Sequence, residues 1–187
     1  MALTYSTPKK LGDLAPPFSL PATDGKTYTL DSFRDKKALI VIFMCNHCPY
    51  VIGVQGRINQ LAKDFGTRGV ALVGINSNDP AEYQEDDFAA MKARAREEEY
   101  VFPYLQDETQ AVAKAYGAVC TPDPFVFENL GEGKWALRYQ GRIDDNWRIE
   151  DAVRKRELAD AVEAILAGRE PVADQKPAMG CSIKWKK

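Results

Sequence analysis

The residues Ala38-Leu39-Ile40-Val41-Ile42-Phe43-Met44 form an apolar run without polar alternation. A strand with one wet face alternates, so an unbroken run of this length reads as a strand covered on both faces of an α/β sheet. Directly after it comes Cys45-Asn46-His47-Cys48-Pro49, which holds two of the four cysteines and the only histidine. Val51, Val54, Ile58, Leu61 and Phe65 then follow at steps of three and four, a helical core stripe that Gly66 ends. Gly53 and Gly56 lie inside that helix and weaken it, so its first turns are expected to be kinked or mobile. The cysteines thus stand where a buried strand gives way to a helix, facing first-turn N–H groups that lack intrahelical partners. Such a field favours thiolate, the reactive form of cysteine.

A Cys-x-x-Cys in this position reads as a redox pair. Two rival readings use the same residues. Cys45, Cys48 and His47 with a distant Cys120 or Cys181 could supply zinc donors, and the thiols could be structural. Structural zinc sites bring their ligands as two spaced pairs, and no second pair exists here, so neither metal nor cofactor is expected.

A chain of 187 residues, 45% hydrophobic and 28% charged, can bury one full core without disulfides. Its net charge of −2 argues against nucleic acid or an anionic membrane as partner. The opening segment lacks the apolar stretch of a signal peptide, and no run of about 18 apolar residues occurs. The expected location is cytoplasmic, where cysteine pairs are usually catalytic.

The remaining elements follow in order. Phe18, Leu20, Tyr28 and Leu30 flank an Asp24-Gly25 turn, an expected β-hairpin. Val70–Ile75 is a second buried strand. Asp79-Pro80-Ala81-Glu82 carries helix-start signals for an amphipathic segment reaching Glu99, with Phe88, Met91 and Ala95 inward. Asp107 to Gln110 caps a further helix that Gly117 closes. Phe125–Phe127 and Trp135–Tyr139 form a hairpin, and a last helix carries Leu158, Val162 and Ile165. Residues 1–170 read as one domain. The tail 171–187, with Met179, Cys181, Ile183 and Trp185, is expected to dock on it.

Cys120-Thr121-Pro122-Asp123-Pro124 precedes the penultimate strand. Prolines cannot donate to a sheet ladder, and X-Pro bonds are the main source of cis peptides. With this element order the chain resembles the thioredoxin fold: an α/β protein whose central mixed sheet is flanked by helices, here with an N-terminal β-hairpin extension. It is most similar to thioredoxin-like members of the peroxiredoxin (AhpC/TSA) superfamily, through Ala15-Pro16-x-Phe18-x-Leu20, Asp24-Gly25-Lys26 and Gly180-Cys181-Ser182-Ile183-Lys184-Trp185. The resemblance implies that Pro122 is cis and packs against the Cys-x-x-Cys. It implies too that the Thr121 backbone receives an incoming substrate peptide. Two positions depart from thioredoxin: Met44-Cys45-Asn46-His47-Cys48 replaces Trp-Cys-Gly-Pro-Cys, and Leu39 occupies the place of the buried acid that accepts a proton there.

The implied activity is thiol-disulfide exchange. Cys45, expected to face solvent, attacks a protein or small-molecule disulfide, Cys48 one turn deeper resolves the mixed disulfide, and an unidentified thiol reductant restores the pair. His47 is expected to add positive charge that stabilises the Cys45 thiolate. Cys120 reads as a small buried side chain or an additional thiol, and Cys181 as an anchor residue or an extra resolving thiol. The alternatives are a peroxidase, although Ile42 and Cys45 stand where peroxiredoxins need a threonine three residues before the thiol, and a non-catalytic interaction module. The oligomeric state is left open.

Overall fold

The computed structural model describes residues 3–187; Met1 and Ala2, at the head of the expected domain, lie outside the described residues. In chain order the elements are β1 (Leu3–Tyr5), β2 (Ser19–Pro21), β3 (Thr27–Thr29), β4 (Ala38–Phe43), α1 (Pro49–Ile52), α2 (Gln55–Gly66) and β5 (Val70–Asn76). They continue with α3 (Phe88–Glu97), β6 (Tyr104–Gln106), α4 (Ala111–Tyr116), β7 (Cys120–Thr121), β8 (Asp123–Asn129), β9 (Trp135–Gln140), α5 (Glu157–Leu166) and β10 (Met179–Ser182).

The apolar run becomes β4, the centre of a mixed sheet ordered β6-β5-β4-β8-β9. It pairs parallel with β5 and antiparallel with β8, and all six of its residues are buried. Alternate residues face opposite sides of a strand, and here both sides are covered. Ile40, Ile42 and Met44 pack with Ile58 and Phe65 of α2 and Leu158, Val162 and Ile165 of α5. Leu39, Val41 and Phe43 pack with Val112, Ala113 and Tyr116 of α4, Phe125 and Phe127 of β8, and Phe18 and Leu20 from the β2–β3 hairpin. The two faces explain why this strand could afford no polar residue.

Local signals fared unevenly. The helix after the cysteines is broken into α1 and α2 at Gly53–Val54, as the glycines suggested. A Cβ on Gly53 would stand 2.7 Å from the Trp147 carbonyl oxygen, so close packing also requires this glycine. Asp79–Glu82, by contrast, does not start a helix. The Asp79 N–H is held by the Lys184 carbonyl, a 3-10 turn occupies Gln84–Asp86, and Asp87 caps α3 by accepting from the Ala90 N–H at 2.7 Å. A capping sequence lost to tertiary contacts here. β6 was not foreseen, being three residues long.

The tail crosses the molecule. β10 pairs antiparallel with β1 on one side and with β7 on the other, forming a second sheet ordered β1-β10-β7.

Candidate active site

The loop from β4 to α1 carries the cysteines. Cys45 follows the strand end, and Cys48 is the residue that precedes Pro49 at the start of α1. Opposite them lies Thr121, whose peptide bond to Pro122 is cis. Cys45 Sγ is 3.2 Å from Thr121 Oγ1, and Cys48 Sγ is 3.2 Å from the Thr121 carbonyl oxygen. Cys45, Cys48, Thr121 and Pro122 are thus brought together, and Cys181 joins them, in contact with Cys48.

The expected solvent-facing nucleophile is absent: Cys45 is 1% exposed and Cys48 0%. The sequence placed the first cysteine at the helix start, but the helix begins only after the second. The two thiols interact directly, and their proton affinities diverge. Burial, then the contacts with Cys48 and the Asp86 charge, hold Cys45 well above the ordinary thiol range. The Cys45 S–H, against the opposing effect of burial and with help from Cys181 and the Val51 backbone, draws Cys48 below it. The Thr121 carbonyl acts against this by accepting an S–H from neutral Cys48. Donors on several sides of Cys48 oppose that single acceptor, which favours the pair's shared proton on Cys45.

His47 does not project its charge toward the thiols unopposed. Its Nδ1 lies 2.5 Å from Asp86 Oδ2, and its ring stacks on Tyr83 with centroids 3.9 Å apart. Asp86 also accepts from the Asn46 backbone N–H at 2.7 Å and from Asn78 Nδ2 at 2.8 Å. Burial raises this carboxyl, but those hydrogen bonds, His47 first, hold it below its ordinary value. A carboxylate beside His47 offsets the positive field expected from the imidazole. Asp86 escaped the sequence reading because it lies 40 positions from Asn46, in a short 3-10 turn between β5 and α3. The polar cluster Asn76-Ser77-Asn78 at the end of β5 was the available signal.

Thr121 already has a strand partner. Its place in β7 is paired with Cys181 of β10, so the chain's own tail lies along the edge where the resemblance put substrate. The approach is so close that a Cβ on Gly180 would meet the Thr121 carbonyl oxygen. Cys181 is buried, and burial, then the Cys48 contact, push its thiol up to about 12. Cys120 is buried too, its Sγ 4.0 Å from the Pro122 carbonyl oxygen, and burial raises it further. It takes no part in the contact between Cys45 and Cys48.

A cleft of about 250 Å³ opens beside Pro122, lined by Tyr5, Val54, Trp147 and Met179 among others. Arg142 on its wall is engaged by Glu157 at 2.9 Å, and Asp144 by Arg57 at 3.2 Å. Donor atoms of Cys45, His47 and Asp86 lie within 4.8 Å of one another, a set that could hold a metal.

A Cys-x-x-Cys between the central strand and a helix, with a cis-proline across from it, defines a protein of the thioredoxin fold. The chain belongs to the AhpC/TSA family, which residues 11–145 match. It is similar over its whole length to an uncharacterized conserved protein from Geobacillus kaustophilus, at 42% identity and a TM-score of 0.92, covering 100% of this chain and 97% of that one. Among curated proteins it is 29% identical over 114 residues to peroxiredoxin Bcp of Escherichia coli (strain K12), covering 59% of this chain and 65% of that protein. The chain spans about half to two thirds of the length of the curated relatives it matches. A thioredoxin-family thiol:disulfide interchange protein from Chlorobium tepidum TLS shares the fold, with a TM-score of 0.55 at 24% identity, covering 66% of this chain and 83% of that one. No helix among the described residues is long and apolar enough to cross a membrane.

Proposed function

We propose that the chain is a thiol-disulfide oxidoreductase in which Cys48, rather than Cys45, is the attacking thiolate and Cys45 the resolving thiol. The carrying observation is the pair of buried thiols at the start of α1, in contact with each other and both against Thr121; on that arrangement we assign the shared proton to Cys45. The Cys48 thiolate attacks one sulfur of a substrate disulfide, forming a mixed disulfide and expelling a thiolate that takes a proton from solvent. Cys45 then attacks Cys48 Sγ and its proton leaves with the second expelled thiolate. The substrate gains two electrons, and the chain is left with a Cys45–Cys48 disulfide that an external thiol reduces.

The tail along Thr121 favours small disulfides over protein disulfides, because β10 already fills the edge that an extended peptide would use. Cys181, on that same strand, serves as a donor to Cys48 and as an anchor of the tail.

The family and its curated relatives support a second reading, peroxide reduction. There the Cys48 thiolate would take one oxygen from a hydroperoxide to give a sulfenic acid and an alcohol, and Cys45 would condense with it, releasing water. Against this stand the engagement of Arg57 and Arg142 by acids and the absence of the threonine spacing. The test runs oxidised glutathione, insulin and hydrogen peroxide side by side on the reduced wild type and on Cys45→Ser and Cys48→Ser. The expected result is turnover with glutathione disulfide above the other two, with a mixed disulfide trapped in Cys45→Ser only. Trapping in Cys48→Ser alone would reverse the assignment, faster peroxide consumption would favour the second reading, and no turnover would leave an interaction module.

A further inference from the structure

The spacing of the cysteines argued against a metal because no second ligand pair exists in the sequence. The fold supplies a different partner. Asp86, from the loop after β5, brings a carboxylate to Cys45 and His47, and the three donor atoms lie within 4.8 Å of one another. We propose that the reduced chain binds one zinc ion through Cys45 Sγ, His47 Nδ1 and Asp86 Oδ2, and releases it when Cys45 is drawn into the disulfide with Cys48.

The donor set suits zinc. Thiolate, imidazole and carboxylate are its three protein ligand types, at about 2.0–2.3 Å. One thiolate and one carboxylate match its two positive charges. Sulfur and nitrogen donors select against magnesium and calcium, which take oxygen. Tetrahedral ligands at those lengths sit roughly 3.3–3.6 Å apart. The Nδ1–Oδ2 pair, now 2.5 Å apart, therefore opens by about an ångström as the ion enters between them. Cys45 Sγ, within 4.8 Å of both, moves in by no more than about 1.3 Å. Three protein ligands leave the fourth position open, to water or to a bound thiol.

Supporting groups already orient the ligands, as metal sites require. Asp86 is held by the Asn46 N–H and by Asn78 Nδ2. Asn46 is itself fixed by the Tyr104 hydroxyl at 3.1 Å and by the Glu85 carbonyl at 2.6 Å. Tyr83 stacks on the imidazole, and Thr121 Oγ1 lies against Cys45 Sγ. The dispersed origin of the ligands rules out recognition by spacing.

Binding costs the site its protons: the Cys45 thiol gives up one, and any proton on His47 Nδ1 leaves as well. Release follows from oxidation. A low-molecular-weight disulfide takes two electrons from the Cys45 and Cys48 thiolates and yields two thiols, whose two protons come from solvent, and the ion leaves because Cys45 no longer offers a thiolate. The release half rests on the dithiol reading above; the binding half does not.

The test titrates the full, reduced chain anaerobically with Co2+ alone and with Zn2+ alone. One equivalent of Co2+ should give a near-ultraviolet thiolate-to-cobalt band in the wild type, Cys48→Ser and Cys120→Ser. Cys45→Ser should lose the band, and Asp86→Asn and His47→Asn should each weaken Zn2+ binding at least about tenfold. Circular dichroism identifies any variant that fails to fold, and either of the last two suffices. No band, an unchanged band in Cys45→Ser, or loss in Cys48→Ser with full binding in Asp86→Asn would overturn the site. Adding oxidised glutathione to the zinc-loaded chain should free one Zn2+ per Cys45–Cys48 disulfide, read with a zinc dye; retention by the oxidised chain would overturn the release. If the disulfide forms in a chain that never binds zinc, the metal site falls and the dithiol reading stands. If zinc binds and no disulfide forms, the reverse holds.

Discussion

At the scale of single residues, the chemistry of this site depends on which of two touching thiols keeps the proton. Cys48, at the start of a helix and beside a thiol donor, ionises more easily than Cys45, which burial and Asp86 hold neutral. Alkylation of Cys48 in the reduced chain should therefore have its midpoint below the ordinary thiol value of about 8.5. Cys45→Ser should move that midpoint little while a serine hydroxyl still donates to Cys48, whereas a midpoint at the ordinary value would contradict the assignment. A second buried group does no redox work. Asp123 on β8 is 0% exposed, neither carboxylate oxygen has a hydrogen-bond partner of normal geometry, and burial, opposed by Gln140 and the Val119 backbone, pushes it up to about 7. Below about pH 4 the folded and unfolded chains both carry this proton and no stability is lost. As pH rises the unfolded chain ionises first, so stability falls until the folded form ionises near 7. A rise from 3.8 to about 7 corresponds to about 4 kcal/mol. Asp123→Asn should remove that loss: its stability relative to wild type should be a few kcal/mol more favourable at pH 8 than at pH 4. Denaturant melts at both values measure this, and a difference independent of pH would refute it.

At the scale of elements, β10 is the strand that lies along the site. It is a short strand made strategic by position, since it pairs with β7 at the residue before the cis-proline. Only glycine fits at position 180, because any Cβ would meet the Thr121 carbonyl oxygen. Gly180→Ala should therefore unpair β10 from β7, lower the melting temperature by several degrees, and speed alkylation of Cys48. It should also raise insulin reduction relative to reduction of glutathione disulfide, since the vacated edge suits an extended peptide. Removal of residues 178–187 should produce the same changes, larger in size. A variant that melts lower with unchanged alkylation and an unchanged substrate ratio would make the strand an anchor and nothing more.

At the scale of the whole molecule, one five-stranded sheet carries two apolar layers, and the site stands at the end of its central strand. Phe125 links the layers' fate to the site: it pairs with Val41 across β4 and β8 and meets Phe43 and Tyr116 edge-on, with centroids 5.9 and 5.8 Å apart. Phe125→Ala should cost about 3–5 kcal/mol by leaving a cavity in this layer. Urea unfolding read by tryptophan fluorescence checks it, and a loss under about 1 kcal/mol would show that the hairpin and α4 close the gap.

The sequence by itself determined the parts governed by local pattern: the doubly covered β4, the cysteines at its end, the broken helix after them, the Asp24-Gly25 hairpin and the place of Pro122. Periodicity and turn chemistry act over a few residues, so they are readable without the fold. Tertiary structure alone decided that Asp79–Glu82 would be a loop, that Asp86 would hold His47, and that Cys181 would lie on Cys48. These depend on contacts between residues 39 to over 130 positions apart, which no local pattern encodes. The same contacts decide which thiol is charged, because burial and neighbouring donors, not spacing, set the energy of a buried proton.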